Sequence, residues 1–579
     1  MAVMTCSWKH TPAPEKEVRE LANAVGCSTA LASVLWKRGI RDAASAGAFI
    51  APKLAHLSDP FLLPGAREAA ELLQSTLDGN KRITIFSDYD VDGLTSCALL
   101  CRCLKAHGGR VETFLPDRMT EGYGLSRKAM DRCVKETSPE MLVVLDCGTN
   151  SASEVGHARR EGISVIVVDH HEPEAPAQPN VLINPKIQDS KFKVQNLENL
   201  CTVGLVFKLC HAFLKLHSGG GRRFVLKDHL DLAALGTVAD LVPLLGENRI
   251  LTRHGLHQMG RSKNAGLRSL MRVSGVQAEP TTFDCGFRLG PRLNAAGRLE
   301  SASAALELLL TEDESRAGLI ATQLDGINRE RRSLQESIYE EADSMARLQF
   351  AREGGVLVVA KEGWHPGVVG IVASKLSQKF HRPAFVIALD EKDGIGKGSG
   401  RSIEGFHLVE ALNGAREIIV AGGGHTMAVG VTIEASRIRE FHAFLNDWAK
   451  RTADPSVWQR SLHVDLELAL DSINMALAEE LEMLAPFGQG NPPVLIALRG
   501  IRVGKQRRVG DGQRHLALVL EKDQRQLRSI FFQFDERPDP EIGTPVDVVL
   551  ELRKDEYQGV VNLQGMLRDL IHVTPVDIR

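Results

Sequence analysis

Residues 82–93 read Arg82-Ile83-Thr84-Ile85-Phe86-Ser87-Asp88-Tyr89-Asp90-Val91-Asp92-Gly93, a short β-branched and apolar run that stops on a cluster of acids. The pattern recurs. Residues 141–145 lead into Asp146-Cys147-Gly148 and residues 163–168 into Asp169-His170-His171, and further on stands Thr237-Val238-Ala239-Asp240. Stretches of helical composition after each of the first three motifs predict βαβ units, hence a parallel sheet. Ligands of such a sheet sit at the carboxyl ends of its strands, so these separated acids and imidazoles are expected to converge on one crevice. Four or more carboxylates brought together repel unless divalent cations offset their charge. Mixed oxygen and imidazole donors suit manganese, with magnesium a weaker fit. Two such ions activate a water and stabilise both oxygens of an in-line displacement at phosphorus, so the expected chemistry is metal-assisted hydrolysis.

Working outward, residues 1–75 are helical in pattern and end in Asp59-Pro60 and Pro64-Gly65 turns, which predicts a leading helical subdomain before a catalytic α/β domain over 76–300. No proline falls between Pro291 and Pro366, and Ile320, Leu324, Ile327, Leu334, Ile338, Met345 and Leu348 recur at helical spacing. One connecting helix over 301–350 is expected; about 35 residues of it would separate two domains by roughly 50 Å. A second α/β domain follows over 351–460, with strands near 355–360 and 384–389. Glycine at every second position makes Gly394 to Arg401 a glycine-rich loop, either a plain turn, the commoner case, or a backbone whose amides, with Ser399 and Arg401, can grip a phosphate. No G-x-x-x-x-G-K-[ST] run is present, which argues against an ATP-driven motor.

Over 461–579 short runs at 494–503, 515–521, 527–534, 546–552 and 559–563 predict a five-stranded OB-fold. From Arg502 to Arg528 there are eight Lys/Arg against three acids, and Phe531, Phe532 and Phe534 follow. Arg502, Lys505, Arg507 and Arg508 with these rings would make a sequence-tolerant single-strand groove. Strand alternation sends at least one face of the phenylalanines into a barrel core instead.

A chain of 579 residues exceeds one core and predicts several domains, and 43% hydrophobic with 25% charged residues is the composition of a soluble globular protein. No apolar run approaches the ~20 residues that cross a membrane, and the start lacks a signal-peptide stretch, so no membrane association and a cytoplasmic location are expected. All ten cysteines lie from Cys6 to Cys285 without a C-x-x-C pair, which indicates neither a disulfide framework nor structural zinc. A net charge of -3 means that any nucleic-acid contact relies on local basic patches.

Taken together these motifs resemble the DHH phosphoesterase family, and within it the bacterial exonucleases specific for single-stranded DNA. The likeness extends nearly full length: Arg118 ahead of Glu121-Gly122-Tyr123-Gly124, Gly290-Pro291-Arg292-Leu293-Asn294-Ala295-Ala296-Gly297-Arg298, Gly398-Ser399-Gly400-Arg401-Ser402, Gly422-Gly423-Gly424-His425 and Pro486-Phe487-Gly488-Gln489-Gly490-Asn491-Pro492. Ser87 stands where the family usually has glycine, and its hydroxymethyl is expected to crowd the first turn.

The resemblance implies an α/β protein in which a parallel-sheet DHH domain is joined by a long helix to a smaller DHHA1 domain, followed by an OB-fold barrel. It implies a 5′ to 3′ exonuclease that uses two Mn2+ or Mg2+ ions to release 5′ mononucleotides in DNA recombination and repair. Asp90, Asp92, Asp146, His170 and Asp240 are the implied direct ligands, with Asp146 as the bridge. Asp88 ligates or orients, and His171 contacts the scissile phosphate or supports the site. Arg118, Arg298, Ser399 and Arg401 resemble a pocket for the terminal 5′ phosphate, with Arg292, Asn294 and His425 lining the cleft. The implied partners are single-stranded DNA, a single-strand-binding protein and a DNA helicase, acting with a monomer. Two other readings stand beside it. A hydrolase of short oligonucleotides or cyclic dinucleotides would need no OB-fold, and a scaffold without catalysis would be expected to lack several of the acids present here.

Overall fold

Ile83 and Ile85 of the first sheet strand join one apolar cluster while Phe86 joins another, and the same alternation separates Met141, Val143 and Leu145 from Leu142 and Val144. A strand buried on both faces must sit inside a sheet covered by helices on either side. The computed structural model describes residues 6–118, 120–122, 124–187, 197–217, 224–277, 279–299, 301–534, 537–557 and 559–573, and the chain forms two compact units.

The first unit comprises Pro52–Glu336 and Pro486–Pro492. Its sheet consists of β1 (Arg82–Ser87), β2 (Arg110–Phe114), β3 (Met141–Leu145), β4 (Ser164–Val168) and β5 (Val181–Ile183), all parallel, in the order β2-β1-β3-β4-β5. The connection leaving β1 contains α1 (Val91–Ala106), which packs with α2 (Thr202–Leu216) and α3 (Leu230–Ala239) in the larger cluster. The connection leaving β3 contributes Val155 and Ala158 to the other. Adjacent strands β1 and β3 therefore send their chains to opposite faces, which opens a crevice at their carboxyl ends. After β4 the expected helix is absent: residues 172–180 lead irregularly into β5. The unit also contains α4 (Gly290–Leu299) and the first part of α5 (Glu314–Glu353).

Helix α5 has 40 residues, and it begins later than expected. A separate helix, Ser303–Leu310, precedes it, and the Asp313 carboxylate accepts from the Ser315 and Arg316 amides, fixing the start of α5. Ala317, Ile320, Leu324 and Ile327 belong to the first unit's core, while Ile338, Ala342 and Ala346 belong to a core of the second. Leu348, expected on the apolar stripe, is 62% exposed.

The second unit comprises Met1–Ala51, Ser337–Ala485 and Pro493–Arg579. Its first sheet holds β6 (Leu357–Glu362), β7 (Ala384–Leu389), β8 (Ile395–Arg401), β9 (Ala421–His425) and β10 (Ala428–Glu434) in the order β9-β10-β8-β7-β6. The barrel consists of β11 (Ile496–Val509), β12 (His515–Lys522), β13 (Arg525–Phe531), β14 (Pro545–Tyr557) and β15 (Val560–His572). Its order is β11-β12-β13-β15-β14, and β11 also pairs with β14, which closes five strands as an OB-fold requires.

Residues 1–75 do not stay together as a leading subdomain. Ser7–His10 is a strand paired with Ser461–Val464, and the Trp8 indole donates to Asp569, so the stretch before residue 52 belongs with the barrel-bearing unit. Leu63, Ala66, Ala69, Ala70 and Leu73 instead complete the core around α1 and α2.

One buried ion pair helps to position α2. The Lys208 ammonium donates to Glu247, to the Ser58 carbonyl and to the Ser58 hydroxyl at 2.7–3.0 Å, with both charged side chains almost fully buried. Glu247→Ala is expected to cost about 3–5 kcal/mol by leaving a buried ammonium uncompensated, whereas the pair Lys208→Met and Glu247→Leu should recover most of it. Thermal unfolding of both variants decides this; a single variant melting with wild type would show that the pair holds nothing.

Candidate metal centre

The turn after β1 is shaped by close approach. A Cβ on Gly93 would lie 2.3 Å from the Asp88 carbonyl oxygen, so only glycine lets α1 start so near the strand. Asp90 is the N-cap of α1, its carboxylate accepting from the Gly93 amide at 3.1 Å. Ser87 does not crowd this turn as expected: its buried hydroxyl donates to the Gly93 carbonyl at 2.7 Å and so fastens strand to helix.

These elements bring the acids and imidazoles together. Ligand atoms of Asp88, Asp90 and Asp146 lie within 4.8 Å of one another, and the same holds for Asp92, His170 and Asp240 and for Asp146, His170 and His171. His170 Nε2 is 3.5 Å from both Asp146 and Asp240 and 3.9 Å from Asp92. Asp146 thus belongs to two of the three groups, and His170 links the second of these to the third. Asp146 is held at φ +62°, a strained conformation for a residue with a Cβ, and the Thr202 hydroxyl donates to it at 2.9 Å.

Asp92 is gripped by the start of α2. The Thr202 and Val203 amides donate to its two oxygens at 2.7 and 2.8 Å, using the amides that a helix N-terminus leaves free. Asp169 is no part of the ligand groups but orients them. Its Oδ1 meets His171 Nδ1 at 2.7 Å and the His170 amide at 2.8 Å, while Oδ2 takes the Thr149 amide at 3.0 Å. Such support fixes both the tautomer and the direction of a ligating imidazole.

Charge is the dominant feature. Burial, then Asp90, pushes the Asp92 carboxyl up to about 7, and burial, then Asp92, pushes Asp240 up to about 9. Asp88 and Asp146 rise far above the carboxylate range for the same two reasons, desolvation and neighbouring carboxylates. Burial, then His171, lowers His170 to about 3, which keeps it neutral. For Asp169 burial works upward, but the His171 contact and the Thr149 bonds outweigh it and hold the group below the usual range. Buried atoms Asp88 Oδ1, His170 Nε2 and Asp240 Oδ2 have no hydrogen-bond partner. Oxygen-rich donors, a neutral imidazole and orphaned atoms aimed at one space fit divalent cations of the manganese or magnesium type.

Several neighbours were not foreseen. Thr202, the Val203 amide and Asn184, which donates to Thr149 and to the His171 carbonyl, carry no motif of their own. Lys186 lines a cleft of about 340 Å³ beside His170 and pairs with Glu172 at 2.9 Å. The segment Pro486–Pro492 straps the loop after Asp240, the Leu244 amide donating to the Gln489 carbonyl at 2.8 Å.

The remaining expected residues fall into three places. Exposed Arg118 lies over the Tyr89 ring at 5.4 Å, and Arg298 acts on the same tyrosine. Arg298, Asn294 and Arg292 are half-buried on α4, and Arg292 pairs with Asp325 at 2.9 Å. Ser399, Arg401 and His425 belong to the other unit. There β8 is a strand, not the glycine-rich loop expected of residues 394–401. It is laddered on both sides, so its amides are committed to the sheet. Its glycines make room for Ile387, Phe385 and the valines of β10, since a Cβ at Gly396, Gly398 or Gly400 would meet these side chains at 2.6–3.1 Å. Arg401 and His425 both pair with Ala428, one from each side, so they share a row across the sheet.

On the barrel Arg502, Lys505 and Arg507 are exposed on β11. Arg508 points elsewhere: a bulge between Val503 and Lys505 shifts the alternation, and Arg508 pairs with Asp539 at 2.6 Å and lies over Phe534. Of the three phenylalanines expected in the groove, Phe531 and Phe534 are buried against each other, and Phe532 alone is exposed, at 48%.

The raised acids set a pH dependence. A carboxyl whose folded value exceeds its ordinary 3.8 adds stability below that value and loses it as pH rises through about 7 for Asp92 and about 9 for Asp240. Without divalent ions the melting temperature is therefore expected to fall from about pH 5.5 to about pH 8.5, and the gain from Mn2+ to be larger at the upper end. Melting curves in EDTA and in Mn2+ test this, and a profile in EDTA that rises with pH would contradict it.

Comparison with known proteins places this arrangement. The DHH family N-terminal domain matches residues 82–237, the DHHA1 domain 353–451 and the RecJ OB domain 464–569. The single-stranded-DNA-specific exonuclease RecJ of Bacillus subtilis is 35% identical over 97% of this chain and 70% of its own length. RecJ of Thermus thermophilus, solved in complex with Mn2+, superposes with a TM-score of 0.84 at 30% identity over 98% of this chain and 80% of that one. Its complex with Mg2+ gives 0.77 at 29% identity, with 98% and 79% covered. With three matching domain models and a relative 35% identical over 97% of its length, this chain belongs to the RecJ family of DHH phosphoesterases.

Proposed function

We propose that this chain is a metal-dependent exonuclease that degrades single-stranded DNA from its 5′ end and releases 5′ mononucleotides. The observation that carries the reading is the buried group of carboxylates around neutral His170, with orphaned oxygen and nitrogen atoms, at the carboxyl ends of β1 and β3. Asp88, Asp90, Asp92, Asp146, His170 and Asp240 would hold two Mn2+ or Mg2+ ions. When bound, the ions supply Lewis acidity that makes water a nucleophile at neutral pH and offsets charge at the reacting phosphorus. Asp146, a member of two of the three ligand groups, would be the residue shared between the two ions, and the α2 amides keep Asp92 in place. His171, held by Asp169 and one-third exposed, would contact the scissile phosphate or support the site from behind the ligands.

Arg118 and Arg298 beside Tyr89, Arg292 and Asn294 on α4, and the row Ser399, Arg401 and His425 on the second unit contribute contacts to the strand's phosphates, the terminal one included. Arg502, Lys505 and Arg507 extend this along the barrel. The 5′ polarity, the mononucleotide product, a cytoplasmic place in recombination and repair, and a monomer working with a single-strand-binding protein and a helicase belong to the same reading, supported by the family. Among the described residues no helix is long and apolar enough to cross a membrane.

Digesting 5′-labelled and 3′-labelled single strands with Mn2+ and then EDTA tests the activity and its direction. Asp146→Ala should abolish hydrolysis and the second metal equivalent while leaving affinity for a long strand within a few-fold. Activity within roughly tenfold of wild type at saturating Mn2+ would remove Asp146 from the site.

A separate measurement addresses the barrel. Replacing Arg502, Lys505 and Arg507 together by alanine should flatten the salt dependence of single-strand affinity by about 0.7 per lost phosphate contact, about 2 in all. Turnover at saturation should change little, and an unaltered slope would take the strand off this face.

A further inference from the structure

Close to the metal centre the surface carries a feature that the catalytic reading leaves unused. Phe283 and Phe287 are 53% and 70% exposed, and their rings stack on each other at 4.9 Å with planes 25° apart. Paired rings left in water form an uncovered apolar patch. They are also rigidly mounted. Thr281 and Asp284 close a capping box at the start of the segment, Cys285–Leu289 is a π-helical turn, and Cys285 and Leu289 anchor its other side in the core. The Thr282 hydroxyl donates to the Phe487 carbonyl at 2.7 Å, tying the turn to the strap. π-turns inside helices are frequent at functional sites.

The position is informative. Gly290, one turn after Phe287, faces Ala239 and Val91, whose neighbours in the chain are Asp240 and Asp90. The helical segment that carries the rings therefore packs, through Gly290, against the chain neighbours of two ligands.

The surroundings select the partner. Arg288 follows Phe287 and pairs with Asp284 at 3.0 Å, while Arg292 and Arg329 share the single carboxylate of Asp325. Arg331 Nε is buried without a partner, and burial together with the charges of Arg332 and Arg292 lowers this guanidinium. Cations in excess of their counter-ions beside flat rings complement a polyanion that carries flat bases.

We propose that Phe283 and Phe287 form a stacking platform for the bases of a single strand, with Arg288, Arg292, Arg329 and Arg331 facing its phosphates. The placement of this platform at the cleft rests on the exonuclease reading, but its ligand chemistry can be tested without hydrolysis.

The test uses the full-length protein in EDTA and two labelled probes of equal length, an oligothymidine and a tract of abasic sites on the same backbone. Phe287→Ala and Phe283→Ala should weaken oligothymidine binding about five- to hundredfold and leave the abasic tract within about twofold. Phe287→Trp should keep wild-type affinity, and its added fluorescence, taken as the difference from wild type, should be quenched by oligothymidine but not by the abasic tract. Equal losses on both probes would overturn the platform in favour of a structural or purely electrostatic role. Unchanged affinities with an unquenched tryptophan would overturn it in favour of a protein-docking patch. Turnover of wild type with Mn2+, run alongside, separates the two readings: base-selective binding without hydrolysis would sink the exonuclease and keep the platform.

Discussion

Mutual repulsion among Asp88, Asp92, Asp146 and Asp240 is the constraint to which the rest of the first unit answers. Burial and proximity make each carboxylate costly to ionise, and Arg118 beside Asp88 and Lys186 beside Asp240 do not outweigh this. The fold spreads the burden instead. Helix α2 offers two amides to Asp92 and a hydroxyl to Asp146, Asp169 holds the His171 imidazole and the His170 backbone amide, and the Lys208–Glu247 pair holds α2 itself. What is left over is directed at cations. An acidic site assembled this way is strained when empty of charge compensation, and the strained φ of Asp146 belongs to the same arrangement.

Much of this was legible because the relevant signals are local. An apolar run followed by an acid-rich turn marks a strand end, and five parallel strands put those ends on one edge whatever lies between them. The parts that escaped are non-local or ambiguous. Thr202 and Val203 act through backbone position and a hydroxyl that no spacing rule singles out. Residues 6–51 look like the start of a helical subdomain, but Ser7–His10 finds its strand partner some 450 residues away, which no local pattern encodes.

Glycine and phenylalanine gave the two instructive differences. Alternating glycines have the same appearance in a sequence whether they free a backbone or clear a face. In β8 they clear a face, and the residues between them, Lys397, Ser399 and Arg401, gain a fixed common side. Phe531 and Phe534 were ambiguous for the opposite reason. A ring that can stack on a base can equally fill a barrel, and the closure of five strands requires an interior to be filled. The bulge at Val503 to Lys505 then decides which cations face out, leaving Arg502, Lys505 and Arg507 outside and turning Arg508 to Asp539.

The strap formed by Pro486–Pro492 shows that the metal centre is not contained in the segment that carries its motifs. Its Gln489 carbonyl holds the Leu244 amide, and Gly488 and Gly490 leave room for Leu244 and Pro243. Buried Asn491 closes the strap on itself through the Pro486 carbonyl at 2.8 Å. Asp240 terminates α3 immediately before this loop, and Leu241 follows it at φ +61° and 72% exposed, so the ligand sits at a strained junction that needs outside support. A chain ending before residue 486 would retain every acid of the centre and lose that support. The metal site is therefore a product of the assembled chain, with its ligands supplied early in the sequence and part of their rigidity supplied late.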